Sequence, residues 1–171
     1  MRPIKSLSVT NQGAQKGVSS EESGKLKVLL VDDMRTMRTH ARAMFADLDY
    51  LIMEASDGEE ALELVESYRP HLVLMDIEMP KMDGVTCCRK IKSSPSSRDI
   101  KVIMVTGKGE YSQIAEAFRA GCDDYITKPI NRSELRGKVD ELSKYVLCRR
   151  RLSTLLNDET APRSFPTRRK P

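Results

Sequence analysis

Two periods of apolar residues interleave along this chain. Short runs rich in Val, Leu, Ile and Met occur at residues 26–31, 50–55, 71–75, 100–105 and 124–127. Each is too short for a buried helix and dense in β-branched or long aliphatic side chains, which predicts buried strands. Between them, apolar residues return at helical spacing. Met37, Ala41, Met44, Phe45 and Leu48 mark a first helix. Ser56-Asp57-Gly58-Glu59 opens a second, with Ala61, Leu62, Val65 and Tyr68 on its apolar face and Pro70 after it. Met79-Pro80 and Asp83-Gly84 punctuate a loop before a third helix that reaches about Lys92, and residues 93–98 form a polar linker. Ile114, Ala117 and Phe118 belong to a fourth helix with Gly121 just past its end. Ser133 is placed to cap a fifth, which carries Leu135, Val139, Leu142 and Val146.

Strand and helix thus alternate five times. Nearly continuous apolar strands in that alternation predict an α/β fold, a parallel sheet with helices on both faces. Right-handed crossovers leave few topologies, and in such sheets ligands bind at the carboxyl ends of the strands. Those ends hold the chemistry. The first strand ends in Asp32-Asp33, the third at Asp76, the fourth at Thr106 and the fifth at Lys128.

Composition narrows the picture. The chain of 171 residues fits one ordinary α/β domain plus tails. Its net charge of +4 is uneven: residues 25–145 are close to neutral, and residues 146–171 carry the basic excess, including Arg149-Arg150-Arg151 and Arg168-Arg169-Lys170. Such clusters suit nucleic acid, but no recognition helix or stacking aromatic accompanies them, so a solvated tail is the expectation and a nucleic-acid partner is not. Residues 1–24, rich in Ser, Gln and Gly, read as a flexible leader without the apolar core of a secretory signal. No run approaches the roughly 18 apolar residues of a membrane span. The four cysteines lack Cys-x-x-Cys spacing and only two histidines could assist them, so buried free thiols in a reducing cytoplasm are expected and a thiolate zinc site is not. His40 and His71 sit in no motif and read as structural.

Singly, each polar residue at the strand ends has a plain reading. Asp32-Asp33 or Asp76 could cap a helix or loop, Thr106 could be a strand residue and Lys128 a solvated cation. Together they form one cluster. Three carboxylates in a cleft repel one another unless a cation compensates. Mg²⁺ suits an oxygen-only donor set completed by phosphate. Asp76 would then have an oxygen able to attack phosphorus, with the Lys128 ammonium and the Thr106 hydroxyl to neutralise the transferred group.

Val31-Asp32-Asp33, the stretch Met75-Asp76-Ile77-Glu78-Met79-Pro80-Lys81-Met82-Asp83-Gly84, Val105-Thr106-Gly107 and Lys128-Pro129 resemble the receiver domain of two-component response regulators, in order and each at the end of a predicted strand. The resemblance covers roughly residues 25–147, leaving 1–24 as leader and 148–171 as helix extension and basic tail. It implies a flavodoxin-like sheet of order 2-1-3-4-5. It implies Asp76 as phosphoacceptor, Asp33 as a direct Mg²⁺ ligand, Asp32 as a ligand through water and the Glu78 backbone carbonyl as another. It further implies Thr106 and Tyr125 as switch residues, Lys128 as the phosphate-binding lysine, and a cis peptide before Pro129. The donor would be a histidine kinase or a histidine phosphotransfer protein. Residues 33–38 are similar to the single-domain chemotaxis regulators. The Glu78 side chain could shadow an attacking water or pair with Lys108.

A response regulator switch, cytoplasmic and catalysing only its own phosphorylation and dephosphorylation, is therefore expected. Haloacid-dehalogenase-like phosphatases also use an Asp, Mg²⁺, a Thr and a Lys. They want a second Asp where Glu78 stands, and they do not pair acids on the first strand as Asp32-Asp33 do. A degenerate receiver acting only as a binding module conflicts with the intact acids. Tyr145, Cys148, Leu152 and Leu155 extend an apolar stripe along the last helix. With no effector domain expected, that stripe predicts a docking or homodimerising surface for a downstream protein target, joined to the face of helix four, strand five and helix five.

Overall fold

The computed structural model describes residues 25–107, 109 and 111–159, with side chains up to Cys148 and at Leu152. Five parallel strands, β1 (Leu26–Val31), β2 (Tyr50–Ala55), β3 (Leu72–Asp76), β4 (Lys101–Thr106) and β5 (Asp124–Thr127), lie in the order β2-β1-β3-β4-β5. Five helices follow them in turn: α1 (Arg35–Met44), α2 (Gly58–Tyr68), α3 (Gly84–Ser93), α4 (Tyr111–Arg119) and α5 (Arg132–Glu159). This is the flavodoxin-like α/β topology expected.

The period of two along each strand divides the core. Leu29, Val31, Val73, Met75, Val102 and Met104 pack on one face with Ala61, Val65, Ile91 and Ala117 from α2, α3 and α4. Val28, Leu30, Leu72, Leu74, Ile103 and Val105 pack on the other with Met44 and Phe45 at the end of α1 and Leu135 and Val139 of α5. Strands buried on both faces need apolar side chains at every position, which is why the sequence shows runs and not alternation.

Several boundaries shift for local reasons. Helix α1 stops at Met44, and Phe45 and Leu48 complete the core from the turn beyond it. Asn131, not Ser133, caps α5: its side-chain oxygen accepts from the Glu134 N–H at 3.1 Å and its carbonyl from the Leu135 N–H at 2.9 Å. Phe118 does not join the α4 core face; it is half-exposed, and only Ala117 of that helix is buried. Cys87, Cys88 and Cys122 are buried as expected, their thiols pushed by burial up to about 12, 11 and 12, whereas Cys148 is exposed on α5. His71 is structural: its Nδ1 accepts from the Lys27 N–H at 2.9 Å. The leader, the residues from 160 onward and the side chains of Arg149, Arg150, Arg151 and Leu155 lie outside the described residues. Among the described residues no helix is long and apolar enough to cross a membrane.

Asp57 ties two loops together at the carboxyl edge. Its Oδ1 accepts from the Glu59 and Glu60 N–H groups at 3.0 and 2.9 Å, capping α2. Its Oδ2 accepts from Lys81 Nζ at 2.6 Å, fixing the β3–α3 loop where Lys81 takes a left-handed φ of 63°. The Lys81 hydrogen bond, then the helix N–H groups, hold the Asp57 carboxyl below the usual carboxylate range. A depressed folded-state pKa stabilises above the unfolded value and is lost as pH falls through the folded value. Asp57→Ala should therefore cost about 1–2 kcal/mol near neutral pH. The gap to wild type in urea denaturation should narrow below about pH 4; a gap independent of pH would contradict the ionic part of this role.

A receiver-type acidic cleft

The carboxyl edge of the sheet opens into a cleft of about 860 Å³ lined by Asp33, Asp76, Glu78, Asp83, Arg89 and Lys128, among others. Its acids come from two adjacent strands. Residues Val28 to Val31 of β1 run beside Leu72 to Met75 of β3, so the residues that follow, Asp32-Asp33 and Asp76, leave the sheet side by side. Carboxylate oxygens of Asp32, Asp33 and Asp76 all lie within 4.8 Å of one another. Asp32 and Asp76 are buried; Asp33 is exposed to the cleft.

Lys128 reaches this cluster from the end of β5. Its Nζ donates to Asp76 Oδ2 at 2.8 Å and lies 3.4 Å from Asp32 Oδ2. The Lys128–Pro129 peptide is cis. Burial disfavours the Asp76 carboxylate and raises its pKa; the Lys128 hydrogen bond opposes that, and the Asp32 charge adds to it. Burial also works against the Lys128 ammonium, but Asp76 and Asp32 outweigh it and raise its pKa above the ordinary lysine value. One cation thus serves two buried carboxylates with the third close by, and a further cation would relieve the excess charge. The donors are all oxygens, the set that suits a hard divalent ion such as Mg²⁺.

Thr106 ends β4, one residue beyond Val105, the register partner of Asp76. It is buried, its Oγ1 lies 3.4 Å from the Gly107 carbonyl, and its own carbonyl accepts from the Lys128 N–H at 2.8 Å. Tyr125 packs partly buried against the core, edge-on to Phe118 with ring centres 5.9 Å apart and with Lys138 Nζ 5.6 Å from its ring centre. Glu78 is exposed, and its Oε1 accepts from Gln113 Nε2 of α4 at 3.3 Å. Neither expected role for that side chain named Gln113, and Lys108 lies outside the described residues.

Residues 28–140 match the response regulator receiver domain family. The chain belongs to that family. The receiver is 36% identical over 115 residues to the ycf27 protein of Guillardia theta, described as a transcriptional regulator, covering 67% of this chain and 44% of the relative. It is 34% identical over 117 residues to the response regulator MprA of Mycolicibacterium vanbaalenii, covering 68% and 50%. The chain therefore spans about half the length of these curated relatives, and the narrower likeness to single-domain chemotaxis regulators gains no support from them. Among solved structures, the receiver domain of a histidine kinase from Syntrophus aciditrophicus superposes with a TM-score of 0.66 at 32% identity, covering 70% of this chain and 91% of that one. The receiver domain of the sensor histidine kinase PA1611 from Pseudomonas aeruginosa, which has magnesium coordinated in its active-site cleft, gives 0.64 at 29% identity, covering 69% and 97%. A receiver is a signalling switch of two-component systems.

Neither the bond from Arg38 Nη1 to the Asp32 carbonyl, at 2.6 Å, nor the Asp57–Lys81 pair was legible in the sequence. Both act through long side chains that meet only after folding. The one signal for the second pair was the capping pattern around Asp57.

Proposed function

We propose that this receiver takes a phosphoryl group onto Asp76 in a Mg²⁺-dependent reaction and passes the event to a protein surface. The observation that carries the reading is the convergence of Asp32, Asp33 and Asp76 with Lys128 on one cleft. A phosphohistidine of a histidine kinase or phosphotransfer protein is the donor. An Asp76 carboxylate oxygen attacks phosphorus, the phosphorus–nitrogen bond of the donor breaks, and histidine leaves. Asp33 would hold Mg²⁺ directly and Asp32 through water, with Asp76 and the Glu78 carbonyl as the further protein ligands. Bound there, Mg²⁺ would offset the charge of the acids and of the phosphoryl oxygens. Lys128 keeps its proton and donates to the transferred group, and Thr106 donates once its loop moves inward. Movement of Thr106 vacates space that Tyr125 fills, so one of two packings is favoured. The chain is a switch and not an enzyme of external substrates.

The switching unit is residues 25–147, and the α4–β5–α5 face that bears Tyr125 carries the signal to a downstream protein target or a second copy. Along α5 the exposed Tyr145, Leu147 and Leu152 extend that face.

Two measurements test this reading. Acetyl phosphate with Mg²⁺ should add the mass of one phosphoryl group, and a chelator should prevent it; equal incorporation with and without the metal would overturn the metal role. Asp33→Ala should weaken Mg²⁺ binding more than Asp32→Ala, because the first loses a direct contact and the second a water-bridged one. Equal titrations for wild type and Asp33→Ala would remove Asp33 from the site.

A further inference from the structure

The turn between β1 and α1 has an unusual restraint. It must hold Asp32 and Asp33 against their mutual repulsion, yet Met34 at the α1 N-cap offers no side-chain hydrogen bond and the first helical turn has no acid. The helical ladder starts only at the Met34 carbonyl, which accepts from the Met37 and Arg38 N–H groups at 2.9 and 3.2 Å. The carbonyls of Asp32 and Asp33 lie ahead of it, where backbone acceptors need another partner. Arg38 supplies it. Its side chain is only 14% exposed. Its Nη1 donates to the Asp32 carbonyl at 2.6 Å and lies 3.4 Å from that of Asp33. Its Nε donates to Glu54 Oε2 at 3.3 Å, and Arg42 Nε grips the other oxygen of Glu54 at 2.6 Å. Glu54 stands on β2, in register with Leu30, two residues before Asp32.

We propose that Arg38, anchored by Glu54, is a positioning residue that sets the β1–α1 turn so that the Asp32 and Asp33 carboxylates meet Asp76 as a cation site. The inference rests on the reading of those acids as a Mg²⁺ site. With the two carbonyls engaged by Arg38, the Asp32 carboxylate accepts from the Met34 N–H at 2.8 Å and approaches Lys128 at 3.4 Å. The planar guanidinium reaches carbonyl and carboxylate at once, which an ammonium cannot do in the same way. Glu54 offsets part of the positive charge of Arg38 and Arg42, the two cations it pairs with.

The test is calorimetric titration of the full chain with Mg²⁺ alone, at fixed ionic strength. Outer partners of metal ligands are worth about 10–100-fold in affinity. Arg38→Met should weaken binding by about that factor, and Arg38→Lys should weaken it nearly as much although it keeps the charge. Glu54→Gln should weaken it less, because Arg38 remains but loses its anchor. Arg42→Met changes net charge as Arg38→Met does but touches only β2, and should leave binding close to wild type. If Arg38→Met and Arg42→Met bind alike, or Arg38→Lys binds as wild type does, the role is electrostatic and the inference is overturned. Should Arg38→Met fail to fold, Arg38→Lys and Glu54→Gln decide the matter on the same criteria. A wild type that binds no Mg²⁺ overturns the reading of the site itself, whereas a wild type that binds with all variants unchanged overturns only the role of Arg38.

Discussion

Asp76→Asn should abolish phosphoryl incorporation while leaving the protein folded. The substitution keeps shape and volume but removes the nucleophilic oxygen and its charge. Stability should change little, because the wild-type carboxylate bears a burial penalty that Lys128 only partly offsets, and Lys128 retains Asp32 at 3.4 Å. Neutralising one of three clustered carboxylates also relieves their mutual repulsion, which offsets the loss of the charged contact to Lys128. Mg²⁺ affinity should fall too, since one of the clustered carboxylates is gone. Labelled phosphate from acetyl phosphate, urea denaturation and Mg²⁺ titration of both proteins read the three in turn. Undiminished label on the variant would place the acceptor elsewhere.

Gly84→Ala should be the most damaging single methyl in the described part of the chain. Gly84 opens α3, and its N–H donates to the Ile77 carbonyl at 2.9 Å. A Cβ there would sit 2.0 Å from the Asp76 carbonyl oxygen and 3.1 Å from the Ile77 Cα. Both obstacles are backbone, so no flexible side chain can yield. The start of α3 would have to leave the end of β3, disturbing the core on that face and Asp76 together. A cost of about 3 kcal/mol is expected from overpacking of this kind, with phosphorylation slowed as well. Gly137→Ala supplies the contrast: nothing lies within 4 Å of its added Cβ, and relief of helix entropy should stabilise by up to about 1 kcal/mol. Urea denaturation of both variants checks the pair. A Gly84→Ala protein within about 0.5 kcal/mol of wild type would contradict the close approach.

The sequence disclosed the strands and the cluster at their ends for one reason. Each buried strand is an apolar run, and Asp32, Asp76, Thr106 or Lys128 is the polar residue at which such a run ends. Parallel packing then brings the four to one edge without further information. What stayed hidden depends on reach. Arg38 bends back to carbonyls five and six residues before it, and Lys81 crosses to Asp57 twenty-four residues away. No periodicity encodes either contact. Phe45 and Leu48 misled in the opposite sense, because a turn can continue a helix's apolar stripe after its hydrogen bonds have ended. Asn131 and Ser133 are both capping types, and only the folded helix start, two residues before Ser133, decides that Asn131 accepts from the Glu134 N–H.

A phosphoryl group on Asp76 would be an acyl phosphate, which has a chemical signature that other phosphorylated side chains lack. The full chain is incubated with acetyl phosphate and Mg²⁺, reduced with labelled borohydride, and digested. Reduction converts an aspartyl phosphate to homoserine and marks the carbon. The label is expected in one peptide, at position 76, and should be lost when Mg²⁺ is withheld. Label at Asp32 or Asp33 instead, or a phosphoryl group that resists borohydride, would contradict it.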